Sequence, residues 1–156
     1  GPSTTIAAAM QQDPSFAAAA HLVMMGGALT VPGNVTPWSE ANISQDPDAT
    51  DYLFRHSSDV TMVGLDVTLR TLLTEKETAR WRETGTTAGE VFADMVDYYI
   101  RAYATTAPHL GGCGLHDPLA VAGGPSTDNS RDNFNQDPDA NSLPVSTVSS
   151  DLTPLP

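Results

Sequence analysis

Hydrophobic positions occur in short blocks separated by turn signals up to about residue 122, and they thin out beyond it. Residues 4–12, TTIAAAMQQ, are Ala-rich and predict a helix. Asp13-Pro14 predicts the start of a second, with Asp as N-cap and Pro at the first helical position. Residues 21–25, HLVMM, read as a short buried strand, and residues 60–65, VTMVGL, as another. Residues 26–42, rich in Gly, Pro and Asn, read as a long loop of a length that is uncommon in compact domains and often functional. Asp46-Pro47 opens a helix to about His56. The clearest helix spans residues 86–103, where Val91, Met95, Tyr98, Tyr99 and Ala102 recur at i, i+3, i+4 spacing. Asp117-Pro118 opens a last short helix, LAVA.

Strands alternating with helices predict an α/β domain with a parallel sheet. Two parallel strands do not make a stable sheet with both faces covered. The pattern therefore predicts a partial Rossmann-like, mainly parallel sheet with flanking helices, belonging to something larger. Residues 123–156 are different in kind. They carry Pro125, Pro138, Pro144, Pro154 and Pro156 among many Ser, Asn and Asp, with Phe134 as the one aromatic. Such a segment buries too little apolar surface to offset its ordering entropy. The expected organisation is an α/β domain over 1–122 and a disordered tail over 123–156. The phrase QDPDA, at residues 45–49 and 136–140, reads as a recurring helix start and not as a repeat architecture.

Charge narrows the partners. Lys and Arg number 7 against 19 Asp and Glu, a net charge of -12 over 156 residues. Nucleic-acid binding by counterion release needs clustered cations, so it is excluded, as is attraction to an anionic membrane. An acidic excess does suit a divalent cation. Cys113 is the single cysteine, which rules out an intrachain disulfide and a Cys-rich zinc site. The longest near-apolar run, residues 16–29, is interrupted by His21 and Gly26-Gly27 and is shorter than the ~18–20 residues of a membrane span. The first residues, GPSTT, lack a basic stretch ahead of an apolar one. These features predict no membrane partner and a cytoplasmic location. They also make the sequons Asn34-Val-Thr and Asn42-Ile-Ser chance matches.

Three clusters carry candidate chemistry. Asn34, Glu40 and Asn42 place two amides and a carboxylate in the long loop, groups able to grip a hydroxyl-rich ligand or simply to make turns and caps. Asp66, in GLDVT, follows a strand, where α/β proteins place their sites, and serves equally as a cap. His116 sits beside Asp117 at a helix start. Imidazole is readily tuned to give a proton near neutral pH. Asp117 reads either as an N-cap or as a hard oxygen ligand. His21, His56 and His109 have no acid pattern nearby and read as structural or exposed.

Together GPSTTIAAA, VMMGGAL, GNVTPWSEANISQDPDA, VTMVGLDVT and LHDPLAVA resemble, in order and at about the right spacing over residues 1–122, the nucleoside hydrolases. These enzymes cleave the N-glycosidic bond of ribonucleosides to ribose and free base. The resemblance implies that Asn34, Glu40 and Asn42 bind ribose hydroxyls and that His116 protonates the leaving base. It implies Ca²⁺ as cofactor, with Asp117 and the main-chain carbonyl of Thr4 among its ligands, purine or pyrimidine salvage as the context, and a homo-oligomer for the full-length parent. A His before that Asp resembles the pyrimidine-preferring and broad-specificity members. Two departures matter. Thr5 stands where the family usually has Asn, and the family's N-terminal Asp cluster, of the form DTDPGxDD, has no counterpart. The expectation is a segment of a longer enzyme that is catalytically weak or inactive alone. The alternatives are a non-catalytic ribose or nucleoside binder and a non-functional truncated product.

Overall fold

A computed structural model describes residues 1–123. Nearly all of the expected tail, residues 124–156, lies outside the described residues. Those described form two compact units, one built from residues 1–67 with the segment from Asp117 onward, the other from residues 68–116.

The first unit begins with α1 (Thr4–Gln12) and α2 (Pro14–Ala19), followed by β1 (His21–Met25). Asp13 starts α2 as read from the sequence: its carboxylate accepts from the Ser15 and Phe16 N–H groups, and Pro14 occupies the first turn. A long loop leads to α3 (Ala41–Gln45), α4 (Pro47–His56) and β2 (Asp59–Val63). β1 and β2 pair in parallel, from His21 opposite Asp59 to Met25 opposite Val63. α3 and α4 form the crossover that parallel pairing requires. Alternate strand residues face the helices: Leu22, Met24 and Val60 pack on Met10, Ala17 and Leu53, joined by Ile6, Phe16 and Tyr52. α8 (Asp117–Ala122) lies against both strands.

Two boundaries differ from the sequence reading. The second strand ends at Val63, not Leu65, because the chain turns at Gly64 and the Leu65 N–H bonds the Gly27 carbonyl at 2.8 Å. Leu65 then starts α5 (Leu65–Thr68). The long loop stops at Glu40, so Asn42 belongs to α3, an element the Gly- and Pro-rich composition concealed.

The second unit holds β3 (Leu72–Leu73), α6 (Glu75–Glu83), α7 (Thr87–Thr106), a 3₁₀ turn (Pro108–Leu110) and β4 (Cys113–Gly114). α6, EKETARWRE, has no apolar stripe and escaped the periodicity reading. It is fixed at its start by a capping box between Thr74 and Glu77. It is tied to α7 by Arg82, which reaches Asp94 at 2.6 Å and Asp97 at 2.8 Å. The stripe expected to pack α7 faces solvent instead. Val91, Met95, Tyr98 and Tyr99 are exposed, and Ala93 and Ile100 are the buried positions. Small Ala93 lets α6 and α7 approach closely, and the bulkier row is left outside. β3 and β4 pair antiparallel, Leu72 opposite Gly114 and Leu73 opposite Cys113.

Leu53 is 2% exposed at the centre of the helix–sheet core. Replacing it with Ala removes buried methyls and leaves a cavity, a loss of about 2–5 kcal/mol. Urea unfolding of Leu53→Ala checks this. A midpoint indistinguishable from that of the unsubstituted chain would contradict the assignment of the core.

Candidate active site

The loop after β1 is organised by two carboxylates. Glu40 is 3% exposed and accepts three backbone N–H groups: Gly27 at 2.9 Å and Ile43 at 3.2 Å on Oε2, and Asn42 at 2.9 Å on Oε1. It therefore caps α3 and holds the exit of β1 at once. A carboxylate offers about four lone-pair sites, and three are taken here. Asp66 accepts from the Leu29 N–H at 2.8 Å, the Thr30 N–H at 2.6 Å and the Thr30 hydroxyl at 2.5 Å. Partial burial pushes the Asp66 carboxyl up, but the bonds from Leu29 and Thr30 outweigh it and hold the group below the usual carboxylate range. Asp66 thus clamps the loop, a role neither of its two sequence readings included.

Asn34 and Asn42 join Glu40 at the start of α3. Asn34 Oδ1 accepts from the Ala41 N–H at 2.9 Å. The Asn42 amide nitrogen donates to the Met25 carbonyl at 3.0 Å, tying α3 to the end of β1. Gly33 allows the loop to fold back here, since a Cβ would lie 2.1 Å from the Ser39 carbonyl oxygen. The structure so gathers Asn34, Glu40 and Asn42 in one place.

Asp117 and Thr4 belong to the same unit as this trio. Asp117 is the first residue of α8. Thr4 is the first residue of α1, where a carbonyl enters the helix's own hydrogen-bond ladder. Its hydroxyl donates to Asp46, the N-cap of α4. That bond, followed by the Ala49 N–H, lowers the Asp46 carboxyl below its ordinary range.

His116 belongs to the second unit and is gripped at both ring nitrogens. Nδ1 lies 2.8 Å from Thr68 Oγ1, and Nε2 lies 2.6 Å from the Tyr103 hydroxyl. Thr68 is fully buried. Burial, and then the neighbouring Tyr99 hydroxyl, push the Tyr103 phenol well above its ordinary range, so it stays protonated at neutral pH. A Cβ on Gly114 would sit 2.8 Å from the imidazole, so the absence of a side chain there makes room for the ring. Thr68 and Tyr103 were not read from the sequence as site residues. The available signals were the Thr that ends GLDVT and the Tyr99–Tyr103 pair at i, i+4 near the end of the best helix.

The sequence profile of the inosine-uridine preferring nucleoside hydrolases matches residues 1–142. The chain belongs to that family. The match extends past the boundary expected at residue 122. Among solved nucleoside hydrolases, the chain is 65% identical to the purine-preferring ribonucleoside hydrolase from Gardnerella vaginalis, with a TM-score of 0.75, over 78% of this chain and 39% of that one. A plant nucleoside hydrolase matches at 32% identity and a TM-score of 0.72, over 78% and 38%. A probable uridine nucleosidase of Oryza sativa subsp. japonica is 36% identical over 77% of this chain and 37% of its own length. A pyrimidine-specific ribonucleoside hydrolase of Citrobacter koseri is 34% identical over 78% and 39%. The chain thus spans less than two fifths of the length of these relatives.

Calcium takes about 6–8 oxygen ligands. Among the described residues no group of three or more His, Cys, Asp or Glu comes together to hold a metal. Asp117 and a helix-engaged Thr4 carbonyl do not fit the ion by themselves. Among the same residues no helix is long and apolar enough to cross a membrane.

The Asp66 clamp has a pH signature. Its carboxyl is lowered in the fold, so its contribution is complete above the unfolded value of about 3.9 and is lost as pH falls through the lower folded value. The Leu29 and Thr30 amide resonances should hold steady from neutral pH to about pH 4 and move together below it. A shared midpoint above the ordinary Asp value would contradict the clamp.

Proposed function

We propose that this chain carries the sugar-binding groups and the leaving-group acid of a ribonucleoside N-glycosidic hydrolase. Family membership supports the reaction class. The observation that carries the assignment of the acid is His116, held at both ring nitrogens by hydroxyl groups. Glycosidic cleavage passes through an oxocarbenium-like state. Glu40, with its remaining lone pair, and the amides of Asn34 and Asn42 would orient the ribose hydroxyls and favour the positive charge that develops on the sugar. His116, hydrogen-bonded to Tyr103, would place a proton donor for the departing base, an effect typically worth 10²–10⁴-fold for a general acid. Asp117 is the one candidate carboxylate for Ca²⁺ and Thr4 the one candidate carbonyl, and both would act only within a larger ligand set. The isolated chain is then expected to bind nucleoside better than it turns it over.

His116 ahead of Asp117 favours pyrimidine or broad specificity, whereas the purine-preferring name of the relative at 65% identity favours purines. The higher identity is the better guide, and inosine is the substrate of choice for a test.

Residues 1–123 can replace the matching segment of the Gardnerella vaginalis hydrolase. The chimera should release hypoxanthine from inosine, while the 156-residue chain alone should not approach ordinary enzyme rates of ~1–10³ s⁻¹. His116→Ala in the chimera should slow release by about 10²–10⁴-fold, and should spare a riboside whose leaving group needs no proton. A folded chimera without turnover would contradict the proposal, and so would an His116→Ala chimera with unchanged rates.

A further inference from the structure

We infer that Thr68 is a positioning residue that selects the tautomer of His116. Thr68 ends the GLDVT segment and is 0% exposed. Its hydroxyl has one side-chain partner among the described residues, His116 Nδ1 at 2.8 Å. A hydroxyl is both donor and acceptor, so two arrangements fit that distance. If Nδ1 carried the ring proton, it would donate to Thr68 Oγ1, and the buried Thr68 proton would have no acceptor among the described residues. If Nδ1 is bare, the Thr68 O–H donates to it, and the Thr68 proton is met.

The second arrangement places the neutral-ring proton on Nε2, which faces the Tyr103 hydroxyl at 2.6 Å. The Tyr103 hydroxyl can accept as readily as it donates, so it accommodates the Nε2–H without itself fixing the tautomer, and the choice falls to Thr68. The proton is thereby held on the nitrogen turned away from Thr68, at the Tyr103 side of the ring. Thr68 touches neither substrate nor reacting atoms. It acts by deciding which nitrogen is the donor. A buried unmet donor is disfavoured strongly enough that the Nε2–H form should exceed the other by about tenfold or more.

This inference rests on the reading of His116 as the acid, but its test does not require turnover. Imidazole ¹⁵N shifts and long-range ¹H–¹⁵N correlations, recorded on the 156-residue chain at a pH where the ring is neutral, report the protonated nitrogen directly. The expected result is an Nε2–H ring for the unsubstituted chain and for Thr68→Ser, which keeps the hydroxyl. In Thr68→Val, nearly the same shape without the hydroxyl, that tautomer preference should fall to near parity or reverse. An Nδ1–H ring in the unsubstituted chain overturns the inference even if Thr68→Val does not fold. An unchanged Nε2–H ring in folded Thr68→Val overturns it as well. A correct tautomer pattern in a chimera that cleaves nothing would count against the hydrolase reading and leave the role of Thr68 standing.

Discussion

Where β1 ends, its backbone N–H groups lose the neighbouring strand and take other acceptors, and at the buried Gly26 and Gly27 an unpaired donor would be costly. The last ladder contact is the Gly26 N–H to the Val63 carbonyl at 3.2 Å. Beyond it Glu40 takes the Gly27 N–H and Asp66 takes those of Leu29 and Thr30. Two carboxylates thus replace a missing strand. Each accepts several hydrogen-bond donors at once. The same bonds cap α3, and that cap sets Asn34 and Asn42 around Glu40. The geometry of the proposed sugar site follows from a backbone requirement at the end of a strand.

In the second unit, polar contacts likewise take the place of an extensive apolar core. Arg82 joins α6 to α7, the Thr74–Glu77 box sets the start of α6, and the short β3–β4 ladder returns Cys113 and Gly114 to Leu73 and Leu72. That return is what brings His116 to Thr68, 48 positions away in sequence. GLDVT serves both units, with Asp66 clamping the loop in one and Thr68 holding the imidazole in the other.

The elements built on local signals were legible. Asp13-Pro14 and Asp46-Pro47 start helices as their chemistry demands, and HLVMM is a strand over the five residues expected. What escaped was set by contacts distant in sequence. α6 carries no periodic stripe because its neighbours hold it through charge and a cap. The row Val91, Met95, Tyr98 and Tyr99 has the right spacing for a core, but α7 packs through Ala93 and Ile100. At the site, the grouping of Asn34, Glu40 and Asn42 was readable because they share one short stretch. The partners of His116 were not, because no local pattern links positions 68, 103 and 116. The family was recognisable from five phrases in order, each carrying little alone.

The central claim is that the start of α3 forms a sugar-binding cradle. It is tested most directly by titrating inosine into ¹⁵N-labelled chain and mapping amide shifts. The account predicts saturable changes at Gly27, Ala41 and Asn42, whose N–H groups rest on Glu40 and Asn34, with loss of the response in Asn42→Ala. Saturable shifts confined to other elements, or a full response in Asn42→Ala, would contradict it.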